Sequence, residues 1–257
     1  MSSSSRSESV SVGEVLEALD ELAPFDRAVE GDEVGLVAGS ESHEVSRVLV
    51  CLDLTPDLAS QVSEGTLVVS HHPVPEPLRD AGFPIIVAHS NWDAARGAPA
   101  LAESLGLEDV ERPHDLAALG SFDGTLPELL DRVAELDPPE LRVVETTVDA
   151  SRVLVVPGFG LSRPDFVELA AEVGARVVVS GDLTHHVALR ARLLNVSCVD
   201  ATHAATELPG LRELRRELDE RLPVDVELVD PRCPWGSGAI EVQAGPSGGA
   251  DRPSSGR

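Results

Sequence analysis

No lysine and no tyrosine occur among the 257 residues, methionine appears once, and aromatic residues make up 3% of the chain. All 20 basic residues are arginine, set against 45 Asp plus Glu, for a formal net charge of −25. A chain so poor in cations lacks the basic face that displaces counterions from nucleic acid, and an anionic membrane surface repels it. No apolar run approaches the ~18 residues of a transmembrane helix. The opening MSSSSRSESV has no apolar core, which argues against a signal peptide. These absences predict a cytoplasmic protein without nucleic-acid or membrane partners. The three cysteines are an odd number without close spacing, so neither a disulfide framework nor a thiolate zinc site is expected. Cys51 and Cys198 sit in apolar, strand-like runs and read as buried thiols, whereas Cys233 lies in the Pro/Gly loop DPRCPWGSG.

Hydrophobic residues are 42% of the chain, enough for one large α/β domain or two modest ones. The acidity itself reads as an adaptation to a salty cytoplasm, as in a halophilic archaeon, because molar salt shortens the Debye length to roughly 3 Å and removes most of the self-repulsion.

Strand and helix signals alternate between a Ser-rich tail at 1–9 and a Gly/Ser/Pro-rich tail at 244–257, both expected to be disordered. Residues 11–22 read as a helix with a Ser11–Glu14 capping box. A strand at 47–53, a helix opened by Thr55 and Pro56 and stopped by Gly65, and a strand at 67–70 form a strand–helix–strand unit, which implies parallel pairing. Strands at 85–89, 153–160, 176–180 and 195–199 follow, with helices at 99–105, 127–136, 164–173 and 209–221. The fold class is α/β, two-lobed, with mixed open sheets flanked by helices. A Pro/His/Gly cluster near 110–125 marks a boundary and 181–196 a return. The expected lobes are thus 10–115 with 196–243, and an inserted lobe at 116–195.

Four clusters carry chemistry. His71 and His72 end the LVVS strand before Pro73, where a turn can aim both rings into one crevice. The carboxyl ends of parallel strands are where open α/β sheets place ligands. In AHSNWDAA, His89 ends a strand and Asp93 follows four residues later; in VDATHAATE, His203 and Glu207 are one helical turn apart, with Pro209 placing the regular helix start near Thr206. In SGDLTHHVA, Asp182, His185 and His186 form either a helix cap or a polar wall of the same crevice. Histidine and carboxylate without thiolate suit Zn, Mn, Fe or Co. Five such groups exceed what one catalytic zinc takes and suit two metals about 3.5–4 Å apart.

The ordered segments DEVGLVAG at 32–39, VLVCLDLTPDL at 48–58, VVSHHP at 68–73, AHSNWDAA at 88–95, SGDLTHH at 180–186 and DATHAATE at 200–207 resemble the Nif-three-like family, also labelled GTP cyclohydrolase I type 2 homologues. The resemblance implies a two-lobed subunit of a toroidal hexamer, with two divalent ions per subunit (Zn, Fe or Mn). Matched residue by residue, His71, His72, Asp93, His203 and Glu207 would be the metal ligands. His72 and Asp93 would hold one ion, His71 and His203 the other, and Glu207 would bridge. It further implies a metal-dependent hydrolase of a nucleotide-like or other small substrate. For such a reaction His186 or Asp182 is the expected proton shuttle, and arginines such as Arg79, Arg96 or Arg190 would draw in an anion. A metal-binding assembly protein without turnover, serving storage, delivery or a partner complex, is the alternative. Two departures stand out: Gly31-Asp32-Glu33 where the family reads Trp-Asp-Asn, and His185 where Tyr is common.

Overall fold

A computed structural model describes residues 9–229. In chain order these form β1 (Val10–Ser11), α1 (Val12–Leu22), β2 (Gly35–Ala38), β3 (Glu44–Val45), β4 (Arg47–Cys51), α2 (Pro56–Ala59), β5 (Thr66–Ser70), α3 (Glu76–Arg79), β6 (Ile85–Val87), α4 (Ser90–Trp92), a π-helical turn (Asp93–Gly97) and α5 (Ala98–Ser104). There follow β7 (Glu108–His114), β8 (Ala117–Ser121), α6 (Leu126–Ala134), β9 (Arg142–Val144), β10 (Arg152–Val155), α7 (Asp165–Glu172), β11 (Val177–Ser180), α8 (His185–Leu194), β12 (Ser197–Asp200), α9 (His203–Arg221) and β13 (Asp225–Leu228).

Two mixed sheets carry the fold, as the α/β reading requires. One has five strands in the order β13-β4-β5-β6-β2, the other six in the order β7-β8-β10-β11-β12-β9. In the first, β13, β4, β5 and β6 run parallel and only β2 is reversed. In the second, β10, β11 and β12 are parallel, β8 and β9 run opposite to them, and the edge strand β7 pairs antiparallel with β8. The parallel strands are apolar on both faces because helices cover both sides: all five residues of β5 and all four of β11 are buried. Helix α1 begins where expected: Ser11 Oγ accepts from the Glu14 amide, and the Glu14 carboxylate accepts from the Ser11 amide. Its buried Val12, Val15, Leu19 and Leu22 recur at helical spacing and pack with β4, β5 and α9 in one core.

Several expectations need correction. The helix expected between Thr55 and Gly65 is only the single turn α2; Thr55 Oγ1 caps it by accepting from Leu58 N–H, but its buried residues are none, so no core face extends it. The boundary expected at 110–125 is a β-hairpin, β7–β8, at the edge of the six-stranded sheet. Strand β7 reads EDVERPH and is almost wholly exposed, so an edge position hid it from any hydrophobic pattern. That sheet therefore draws on residues 108–200, a wider span than 116–195, because β12 pairs with β11. Helix α9 starts at His203 and not near Thr206, with Pro209 inside it. The stretch from Ala205 to Leu211 is buried without interruption, and this packing outweighs the hydrogen bond that Pro209 cannot donate. The two expected tails lie outside the described residues apart from Ser9, whose hydroxyl donates to Glu44. Cys233 also lies outside them, while Cys51 and Cys198 are free and buried, their thiols pushed up to about 12 by burial. No helix among the described residues is long and apolar enough to cross a membrane.

Candidate metal centre

Each sheet aims the carboxyl ends of three adjacent parallel strands at one place. After β4 comes Asp53, after β5 His71 and His72, and after β6 His89, which opens the helical stretch bearing Asp93. From the other sheet come Gly158 after β10, Asp182 after β11, and His203 with Glu207 after β12. The helical stretch widens into its π turn at Asp93, and irregular turns of this kind gather at functional sites.

All five residues matched by resemblance converge. Of three triads with ligating atoms within 4.8 Å of one another, one is His71, His72 and His89, and two contain Glu207: His71, Asp93 and Glu207, and His72, His203 and Glu207. This pairing is the reverse of the one expected, which joined His72 to Asp93 and His71 to His203. The cause is the strand end. His71 Nε2 faces Asp93 Oδ2 and Glu207 Oε1, each at 3.6 Å, while His72 turns toward His203, Nε2 to Nε2 at 3.1 Å. Glu207 belongs to both triads, with Oε2 3.2 Å from His72 Nε2 and Oε1 3.1 Å from His203 Nε2.

Every imidazole is pinned by its other nitrogen. His71 Nδ1–H donates to Ala88 O (2.8 Å), His72 Nδ1–H to Asp53 (2.8 Å) and His203 Nδ1–H to Asp182 (2.7 Å), the tautomers following from partners that only accept. Neutral His72 and His203 then point lone pairs at each other, which a cation between them resolves. His71 Nε2 and Glu207 Oε2 are buried with no hydrogen-bond partner. Orphaned buried acceptors, opposed lone pairs and a donor set of imidazole and carboxylate together fit divalent cations.

The electrostatics agree. Burial works to lower the His71 pKa, but Asp93 and Glu207 override it and hold the imidazole well above its ordinary value. Burial also opposes charge on His72 and His203, yet Asp53 and Glu207 raise the first, and Asp182 and Glu207 push the second up to about 10. Burial would raise Glu207, but the surrounding histidines, His71 foremost, hold it well below the usual carboxylate range. Without metal, protons must do the neutralising that cations do when bound.

Asp182 and His186 were the expected proton shuttles. Asp182 instead orients His203, and His186 is exposed on the first turn of α8 with no hydrogen bond or ion pair to the five residues. Arg79 is held bidentate by Glu33, and Arg190 pairs with Glu168, so both are engaged elsewhere. Two carboxylates, Asp53 and Asp32, escaped sequence reasoning as site members, and His89 stood in a candidate cluster without a role assigned to it. Asp32 lies 2.9 Å from His89 Nδ1 through both oxygens and also accepts from the Ser90 amide. Burial, reinforced by the His71 charge, holds His89 below its ordinary pKa despite Asp32. The available signals were an acid directly after an apolar strand (Asp53) and the first histidine of His-x-Asn-x-Asp (His89).

Three glycines let the backbone close on these side chains. A Cβ on Gly158, whose φ is +65°, would overlap Glu207 Oε1 and lie 2.9 Å from His203 Nε2. One on Gly97 would overlap Asp93 Oδ1, and one on Gly181 would stand 2.7 Å from Gly158 O. Between the two sheets, a cavity of about 610 Å³ opens on the centre at His89 and Asp93.

Residues 10–75 and 76–231 match the family model described as Duf34/NIF3 (NGG1p interacting factor 3). A protein of Methanothermobacter thermautotrophicus named GTP cyclohydrolase 1 type 2 homolog is 40% identical over 232 residues, covering 88% of this chain and 95% of that protein. Among solved structures, reduced HcgD from Methanocaldococcus jannaschii superposes with a TM-score of 0.78 at 27% identity, covering 87% of this chain and 99% of that one. A Bacillus cereus protein related to NIF3 also gives 0.78, at 19% identity, with 89% and 99% covered.

Proposed function

The chain belongs to the Duf34/NIF3 family, and from that premise we propose that it holds two divalent metal ions and works as a hydrolase on a nucleotide-like or other small substrate. The observation that carries the reading is the sharing of buried Glu207 between two triads whose histidines are each fixed by the far nitrogen. His71, Asp93 and Glu207 would hold one ion, and His72, His203 and Glu207 the other. Such ions, when bound, supply Lewis acidity and lower the pKa of water.

The protein's own groups do the rest. Asp53, Asp182 and the Ala88 carbonyl set the imidazole tautomers and orientations. Asp32 accepts a hydrogen bond from His89 Nδ1–H, which leaves Nε2 as the nitrogen able to accept a proton at the cavity wall. The cavity favours turnover over storage or delivery, since a carrier needs only an exit for the ion, whereas a hydrolase needs room for a substrate against it. The working form we propose is a homo-oligomer, a ring of six, in a salt-rich cytoplasm. Light scattering in molar KCl tests the first, and thermal melts in dilute buffer against molar KCl test the second.

The functional test is metal-dependent turnover of nucleosides, nucleotides and generic amide and phosphoester substrates by protein loaded with Mn, Fe or Zn. Turnover abolished by Glu207→Ala supports the hydrolase. Tight metal binding with no turnover on any of them favours the storage or assembly role.

A further inference from the structure

The cavity beside the centre has a composition unlike the rest of the chain. Only five phenylalanines and no tyrosine occur in 257 residues, yet Phe159 and Phe166 both line this cavity, edge to face with centroids 5.9 Å apart. His114 stands edge-on to Phe166 at 5.2 Å and lines it too. Its Nδ1 accepts from the Leu116 amide, so the neutral ring carries its proton on Nε2. Leu116 and Leu169 complete an apolar wall. Rings arranged in this way present flat faces and edges that match a planar aromatic guest.

The charges on the same wall are negative. Beyond Asp32 and Asp93, which are engaged with His89 and His71, the lining includes Glu30 and Asp165. Arg163 is the one cationic side chain among the lining residues, and Asp165 stands 4.0 Å from it. A polyphosphate needs several convergent donors from arginine, lysine or a helix N-terminus, and it is repelled by carboxylates on the path. Of the three arginines expected to draw in an anion, Arg79 and Arg190 are paired away from the cavity and Arg96 is not among its lining residues.

From this we infer that the cavity binds a neutral or cationic planar heteroaromatic compound and rejects one carrying a phosphate chain, with Phe159 and Phe166 holding the ring and Glu30 and Asp165 setting the discrimination. The inference rests on the hydrolase reading only for the reacting bond; recognition of the ring does not need the ions.

Calorimetric titration of manganese-loaded protein with adenosine, guanosine and inosine, and with their 5′-mono- and triphosphates at one fixed ionic strength, tests it. At least one nucleoside should bind, with its triphosphate about tenfold weaker or worse. Phe159→Ala should weaken the nucleoside about tenfold. Glu30→Gln and Asp165→Asn, both on exposed or half-exposed positions, should narrow the gap between nucleoside and triphosphate. Triphosphates binding more tightly than their nucleosides, nucleoside affinity indifferent to Phe159→Ala, or no nucleoside binding at all would each overturn the proposal. The two readings separate cleanly. Phe159-dependent nucleoside binding in a protein that takes up no metal would keep the ring site and sink the hydrolase. Metal-dependent turnover of triphosphates in preference to nucleosides would do the reverse.

Discussion

The two sheets meet the same centre by different means. The five-stranded sheet delivers Asp53, His71, His72 and His89 on the residues that directly follow β4, β5 and β6. The six-stranded sheet places one orienting side chain, Asp182, at a strand end. It brings backbone close at Gly158 and Gly181, bends through positive φ at Asp182 (+62°) and Thr202 (+69°), and sets His203 and Glu207 on the first turns of α9. Non-glycine residues in such conformations cost of order 1–3 kcal/mol each and persist where the surroundings fix them. Thr202 Oγ1 is moreover buried without a partner. Both sides therefore contribute ligands, the five-stranded sheet from the stretches after its strands and the six-stranded sheet through α9, and the six-stranded side adds enclosure at a cost in stability.

The shared carboxylate should be the point where the comparison breaks most completely. Glu207→Ala removes the group common to both triads, so metal content should fall from two ions per chain to none by elemental analysis, whereas loss of Asp93 should spare the His72–His203 side. Next comes the enclosing backbone. Gly158→Ala and Gly31→Ala both place a Cβ at positive φ, but only the first meets the centre; Gly31 has nothing within 4 Å. Thermal melts of metal-free protein should show Gly31→Ala losing about 1 kcal/mol. Gly158→Ala should lose about 2–3 kcal/mol and bind metal poorly as well. Equal effects would remove the distinction between the sheets.

A finer effect lies in the orienting groups. Carboxylates support only the His72–His203 triad, through Asp53 and Asp182, while His71 leans on the Ala88 carbonyl. Asp53→Asn or Asp182→Asn should therefore weaken one ion about 10–100-fold and leave the other in place, seen as two affinities splitting apart in a competition titration with a chelator.

These differences also explain what the sequence disclosed. His71-His72-Pro73 and His-x-Asn-x-Asp announce themselves because strand-end ligands sit in short motifs. Asp182 was legible as a polar residue near a helix start but not as the partner of His203, because that contact joins the ends of two parallel neighbours, β11 and β12, which only the folded sheet brings together. The triad pairing was misread for a similar reason: adjacency of His71 and His72 does not say which ring faces which sheet. Buried parallel strands such as RVLVC and TLVVS were plain from their apolar runs, whereas exposed β7 and the interior Pro209 of α9 depend on tertiary packing that overrides local preference.

A last effect is on pH. In metal-free protein the His203 pKa is raised to about 10 when folded, above its ordinary 6.5, so the folded state holds the extra proton between these values. Stability from this group is complete below pH about 6.5 and is lost as pH rises toward about 10. Urea melts across that window should show metal-free protein weakening with rising pH, and metal-loaded protein should lack the slope because its histidines carry no Nε2 proton to lose. Apparent metal affinity should rise over the same range, since binding expels protons.

The most direct test of the centre is an anomalous difference map from a crystal of the manganese- or zinc-loaded protein. Two peaks should flank Glu207, one in reach of His71 and Asp93, the other of His72 and His203. A single peak, or density lodged among His71, His72 and His89 with Glu207 unengaged, would contradict the account.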